Sequence, residues 1–104
     1  MRVSLVTSAD CAAFGLEFFE ALRYLSADNG GVSRGGYSAA EDAAHTLLAN
    51  YASRNGLTVS IDEACNTWVE LPGIDSSADA IVIGSHLDSV RQGGNYDGAA
   101  GVVG

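Results

Sequence analysis

The stretch "GSHLDSVRQGGNYDGAAGVVG", residues 84–104, sets one histidine and two aspartates among glycines. His86 and Asp88 are two positions apart, so in extended chain their side chains point to the same side while Leu87 turns to the other. A carboxylate so placed can hold one imidazole nitrogen, fix the tautomer and make the histidine a more basic metal ligand. Asp97 follows a glycine-containing loop, "VRQGGNY", that could fold back, and its two oxygens could bridge paired divalent ions. Each residue also has a plainer reading. A lone His-x-Asp at a strand end is most often a polar terminus, and an Asp-Gly pair is usually a turn. Gly93-Gly94 is loop punctuation unless a ligand must approach the backbone closely.

The elements that must position these groups are legible from periodicity. Phe14, Phe18, Leu22 and Leu25 fall at steps of four and three, with Phe19 widening the stripe, which predicts an amphipathic helix ended by "DNGG". Ser38 followed by Glu41 predicts a capping box and a second helix whose buried face is Ala40, Ala44, Leu47, Leu48 and Tyr51, stopped by Asn55-Gly56. The period then changes to two. Leu57, Val59 and Ile61, then Thr67, Val69 and Leu71, predict an antiparallel pair of strands. After Pro72-Gly73 and a polar connection, "AIVIGSHL" predicts a strand buried on both faces of a sheet, with His86 and Asp88 at its end, where open α/β sheets favour ligands. His45 is expected to be structural or solvent-facing within the second helix, and Cys65 and Trp68 to pack in the strand region.

Composition narrows the function classes. The 104 residues, 47% of them hydrophobic, suffice for one domain or part of one, and no repeat or interdomain linker interrupts them. The net charge is -8, and the five basic residues, Arg2, Arg23, Arg34, Arg54 and Arg91, are scattered, so no patch tracks nucleic-acid phosphates. No stretch approaches the roughly 20 apolar residues of a membrane span. Cys11 and Cys65 form neither a disulfide framework nor a thiolate zinc motif, which fits a reducing cytoplasm.

"GSHLDSVRQGGNYDGAAGV" resembles the first metal-binding segment of the zinc amidohydrolases related to aminoacylases and dinuclear metallopeptidases, in particular the N-carbamoyl-L-amino-acid hydrolase and allantoate amidohydrolase branch. The pattern G-S-H-x-D-[ST]-V, a short stretch, G-G, two residues, D-G and a G-V pair is intact, with Ser89 at the Ser/Thr position. The Gly-Arg-Gly and Asp-x-Lys-Gly signals of the peptidase relatives are absent. "FFEALRYLS", "GGVSR" and "YSAAEDAAHTLL" extend the resemblance upstream. Cys65-Asn66 departs from it, because the family commonly has Gly-Asn in that turn.

The resemblance implies an α/β fold, with residues 1–104 as the N-terminal part of a dinuclear-zinc catalytic domain: two helices, a hairpin and a buried central strand. It implies His86 as ligand of one metal, Asp97 as bridge between two, and Asp88 as the carboxylate in a catalytic role that orients His86. Gly93 and Gly94 would line the substrate side. The implied cofactors are two divalent ions, Zn2+ with Mn2+ or Co2+ as alternatives, and the implied substrate is a small ureido or carbamoyl compound cleaved at a linear C–N bond by a homodimeric enzyme. A dinuclear site needs about three protein ligands per metal and a general base, so the 104 residues are expected to be inactive alone and to belong to a longer chain. Two alternatives remain: an aminoacylase or dipeptidase using the same metal chemistry, and a non-catalytic metal-binding module.

Overall fold

The computed structural model describes residues 7–104. Residues 1–6, which carry Arg2, lie outside the described residues. Helix α1 spans Ser8–Ser26 and starts earlier than the apolar stripe predicts, because Thr7 and Asp10 form a complete capping box. The Thr7 hydroxyl accepts from Asp10 N at 3.1 Å and the Asp10 carboxylate accepts from Thr7 N at 3.1 Å, so two otherwise orphaned donors are satisfied. "DNGG" does more than end this helix. Strands β1 (Ala27–Asp28) and β2 (Gly31–Val32) pair antiparallel across Asn29 and Gly30. Both turn residues have positive φ, 44° and 87°, the conformation that Asn-Gly favours in a tight hairpin.

Helix α2 spans Ala39–Arg54. Ser38 caps it as expected, its hydroxyl accepting from Glu41 N at 3.3 Å. The reciprocal half of the box differs, because the Glu41 carboxylate accepts from Tyr37 N instead of Ser38 N. At the other end, Gly56 takes φ +76°, its N–H reaches Ser53 O, and Leu57 N–H reaches Ala52 O. That pair of bonds is a Schellman stop. Helix α3, Ala99–Val103, lies against α1, where Val103 approaches Gly15 so closely that a β-carbon there would sit 3.2 Å from its side chain.

The core lies among these helices. Phe18, Leu22, Ala44, Leu87 and Ala99 are buried together, flanked by Phe14, Phe19, Leu47, Leu48, Tyr51, Val102 and Val103. Phe14 meets the edge of Tyr51 at 5.2 Å between ring centroids, and Phe19 meets Tyr96 at 4.7 Å, the edge-to-face geometry that aromatic quadrupoles prefer. Leu87 therefore does what its place between His86 and Asp88 predicts. It anchors their segment to the core and leaves its neighbours turned away.

The fold is mixed α/β, as expected, but the expected buried central strand is corrected. Residues 79–90 have no strand assignment, and Ile81, Val82 and Ile83 are 94%, 67% and 85% exposed. An apolar run becomes a central strand only where neighbouring strands pair with it on both sides. Both sheets among the described residues are isolated two-stranded hairpins, and neither pairs with this run. No helix among the described residues is long and apolar enough to cross a membrane.

Strands β3 (Thr58–Ile61) and β4 (Thr67–Glu70) pair antiparallel as predicted, with Val59 opposite Val69 and Ile61 opposite Thr67. Cys65 and Trp68 are corrected from packed to exposed. Cys65 lies in the turn between the strands and Trp68 in β4 beside it, and the turn is organised by Asp62, whose carboxylate accepts from Trp68 Nε1, Asn66 Nδ2, and the amides of Asn66 and Ala64 at 2.9–3.0 Å. These bonds, Trp68 first, hold its carboxyl at about 2, below the usual 3.8. The folded-state value is depressed, so its stabilising contribution is present above 3.8 and is lost as pH falls through about 2. Trp68 emission should change over that window, and Asp62→Asn should remove the step. Cys65 has φ +66°, a conformation disfavoured for any residue with a β-carbon. Cys65→Gly should therefore stabilise the chain by about 0.5–1 kcal/mol after the flexibility of glycine is subtracted, read as a thermal midpoint a few degrees higher.

Candidate functional site

The polar residues singled out in the sequence divide into one cluster and two glycines that stand apart from it. His86 Nδ1 lies 2.9 Å from Asp88 Oδ1 and 3.2 Å from the Asp88 carbonyl oxygen. An ionised carboxylate only accepts, so Nδ1 is the donor, and in the neutral imidazole Nε2 keeps its lone pair. Nε2 faces Asp97, with Oδ1 at 3.9 Å. The side chains of His86, Asp88 and Asp97 are 54%, 42% and 66% exposed, so all three are open to ligands from solvent.

The backbone around this cluster explains how the residues meet. Residues 32–34 act as a template for two later segments. Val32 exchanges hydrogen bonds with Gly93, N to O at 2.9 Å and O to N at 2.8 Å. Arg34 N donates to Ser89 Oγ at 2.9 Å, and Ser89 N donates to Arg34 O at 2.7 Å. Gln92 N adds a bond to Ser33 Oγ at 2.9 Å. The loop between Asp88 and Asp97 is thereby folded back on the β1–β2 hairpin. Gly31 is required for this approach, since a β-carbon there would lie 2.6 Å from the carbonyl carbon and oxygen of Gln92.

Gly93 and Gly94 border an open cavity of about 540 Å³ with Arg23, Asp28, Asn29 and Asn95, and none of His86, Asp88 and Asp97 lines it. Among the glycines, Gly98 is set against His86 itself, Gly101 against its neighbour Ser85, and Gly36 faces Asp88 at van der Waals distance. A β-carbon on Gly98 would sit 2.4 Å from His86 Nδ1, and one on Gly101 would sit 2.7 Å from Ser85 Oγ. Ser85 Oγ donates to Gly98 O at 2.8 Å, which ties the residue before His86 to the residue after Asp97. The Asp-Gly and Gly-Val spacing was the available signal. His45 is structural, its Nδ1 2.8 Å from Thr67 Oγ1, and it joins α2 to β4.

Among the described residues no group of three or more His, Cys, Asp or Glu side chains is gathered closely enough to hold a metal ion. The donors that do converge suit a zinc-like ion in kind, one imidazole nitrogen and one carboxylate oxygen. Two bonds of about 2.0–2.2 Å meeting at a tetrahedral ion put their donor atoms about 3.4 Å apart, so the 3.9 Å between Nε2 and Oδ1 would have to close by about half an ångström. The set therefore fits as part of a site.

Gly98→Ala should be disruptive, because φ is +69° and the new methyl collides with the His86 ring. A loss of at least about 2 kcal/mol is expected in chemical denaturation, together with a changed His86 ring resonance. Gly94→Ala, with nothing within 4 Å of the new carbon, should change stability by less than about 1 kcal/mol.

No family model matches the chain, and no solved structure matches it at a significant level. Curated relatives do. The chain is 41% identical over 75 residues to the N-carbamoyl-L-amino acid amidohydrolase of Geobacillus stearothermophilus, a match that covers 72% of the chain and 18% of the relative. It is 40% identical over 82 residues to the N-carbamoyl-L-amino-acid amidohydrolase of Paenarthrobacter aurescens, covering 79% and 20%. It is 37% identical over 81 residues to the allantoate amidohydrolase of Bacillus subtilis (strain 168), covering 78% and 20%. The chain spans about a fifth of the length of these relatives. By sequence, these 104 residues belong to the family of N-carbamoyl-L-amino-acid and allantoate amidohydrolases.

Proposed function

We propose that this chain supplies part of the metal-binding face of an amidohydrolase that cleaves the linear C–N bond of an N-carbamoyl amino acid or of allantoate. The observation that carries the proposal is the His86 ring, which hydrogen-bonds Asp88 through Nδ1 and turns Nε2 toward Asp97. The names of the relatives support the reaction class. A pair of divalent ions, Zn2+ in this reading, would supply Lewis-acid polarisation of the substrate carbonyl and acidify water for attack.

The chain's own contribution is placement and tautomer control. His86 would offer Nε2 to one ion and Asp97 would share its carboxylate between the two. Asp88 accepts the Nδ1 hydrogen bond, which would fix the tautomer and orientation in which the imidazole offers Nε2. Gly94 has open space where a β-carbon would stand, which leaves the backbone of that loop free to meet a substrate. Two protein donors are fewer than the three or four that hold a zinc ion tightly. The 104 residues by themselves should therefore bind zinc weakly and should not hydrolyse N-carbamoyl amino acids.

Replacing the matching stretch of a full-length relative with this chain tests the reading. The chimera should hydrolyse N-carbamoyl-L-amino acids or allantoate, lose activity to a chelator and regain it with Zn2+. His86→Ala and Asp97→Ala should each reduce kcat/KM by at least about 10³-fold, because each removes a metal ligand. Asp88→Asn should cost about 10- to 100-fold, as expected for loss of an orienting partner. Full activity in His86→Ala would contradict the proposal. Tight, stoichiometric zinc binding by the isolated chain would favour a self-sufficient metal-binding module.

A further inference from the structure

Arg34 is the largest fully buried side chain among the described residues, with no exposed surface. It is a cation whose hydrogen-bond acceptors are all neutral. Nε donates to Leu87 O at 2.8 Å, and Nη1 donates to Ser26 Oγ at 3.0 Å and Asn95 Oδ1 at 2.9 Å. Nη2 donates to Asn95 O at 3.3 Å. Burying a guanidinium without a hydrogen-bonded carboxylate is expensive, and an apolar side chain of similar volume would avoid that penalty. Burial accordingly pulls its pKa down, opposed by the charge of Asp88.

The acceptors explain the choice of residue. Leu87 O belongs to the residue between His86 and Asp88, so fixing that carbonyl fixes the backbone from which both neighbours project. Asn95 is held through both its side chain and its carbonyl, two residues before Asp97. Asn95 Nδ2 in turn donates to Phe19 O on α1 at 2.8 Å. Only a planar fork with donors in several directions can reach the helix end at Ser26, the His86–Asp88 segment and the Asn95 loop together. A lysine ammonium presents its donors from a single point.

We propose that Arg34 is a positioning residue: its guanidinium holds the His86–Asp88 and Asn95–Asp97 segments at the separation that faces His86 Nε2 with Asp97 Oδ1. The functional meaning rests on the metal-binding reading above, whereas the positioning itself is independent of any metal. Ser26 is the one acceptor outside the two segments, so its removal separates support of the α1 end from support of the site.

The test uses the 104-residue chain, with long-range 1H–15N NMR of the His86 ring at about pH 8, where an ordinary imidazole is neutral, and Co2+ titration followed by absorbance. The wild type should show one tautomer, protonated at Nδ1. Arg34→Met and Arg34→Lys should show mixed tautomers and Co2+ affinity lower by about 10- to 100-fold, with the Phe14, Phe18 and Tyr51 ring signals retained. Ser26→Ala should keep the wild-type tautomer. A wild-type tautomer in folded Arg34→Met, or mixed tautomers in the wild type, would overturn the positioning role. Unfolding of both Arg34 variants would also contradict it, because Arg34 would then support the whole fold rather than two segments. A fixed, Arg34-dependent tautomer in a wild type that binds no Co2+ would still support the positioning, whereas the metal reading fails separately, by full activity of the chimera carrying His86→Ala.

Discussion

The buried strip from Val32 to Arg34 is the constraint on which the candidate site depends. It pairs with Gly93 at Val32 and with Ser89 at Arg34, and the Arg34 side chain reaches past both to Leu87 and Asn95. Residues more than fifty positions apart in sequence are thereby fixed within hydrogen-bond distance. The entropy of closing such a loop grows only slowly with its length, but each returning segment must find specific partners. The hairpin β1–β2 supplies them, and its Asn29-Gly30 turn supplies the hairpin.

The helices perform a different task. α1 and α2 bury Phe18, Leu22 and Ala44, and Leu87 enters that same core from the opposite end of the chain. One apolar side chain thus fastens the segment that carries two polar ones. Gly98 and Gly101 complete the placement by withholding β-carbons where the His86 ring and Ser85 lie. The donors converge because apolar packing, a buried cation and missing side chains act on neighbouring positions of one short stretch.

Much of this was legible in the sequence. The period of four and three in α1, the Ser38 cap, the Gly56 stop and the β3–β4 alternation are local signals with local causes, and each element forms around its pattern, with α1 starting earlier at its own Thr7–Asp10 cap. The i, i+2 spacing of His86 and Asp88 also carried through to a direct contact. Failures came where the outcome depended on partners distant in sequence. "AIVI" has the composition of a buried strand, yet no strand among the described residues flanks it. Arg34 counted as one of five scattered charges, since nothing local distinguishes a buried arginine from a solvated one. Gly93 and Gly94 stand out by adjacency, whereas the glycines packed against His86 and its neighbour Ser85 are Gly98 and Gly101.

On the metal-binding reading proposed above, His86 Nε2 and Asp97 form one face of a divalent-cation site on an acidic chain. Paramagnetic broadening by substoichiometric Mn2+, read across the NMR spectrum of the 104-residue chain, tests it most directly. Broadening centred on the His86 ring and the Asp97 amide, with His45 and the acidic first turn of α2 left sharp, is the predicted result. Broadening spread evenly over the exposed carboxylates, with no preference for His86, would contradict it.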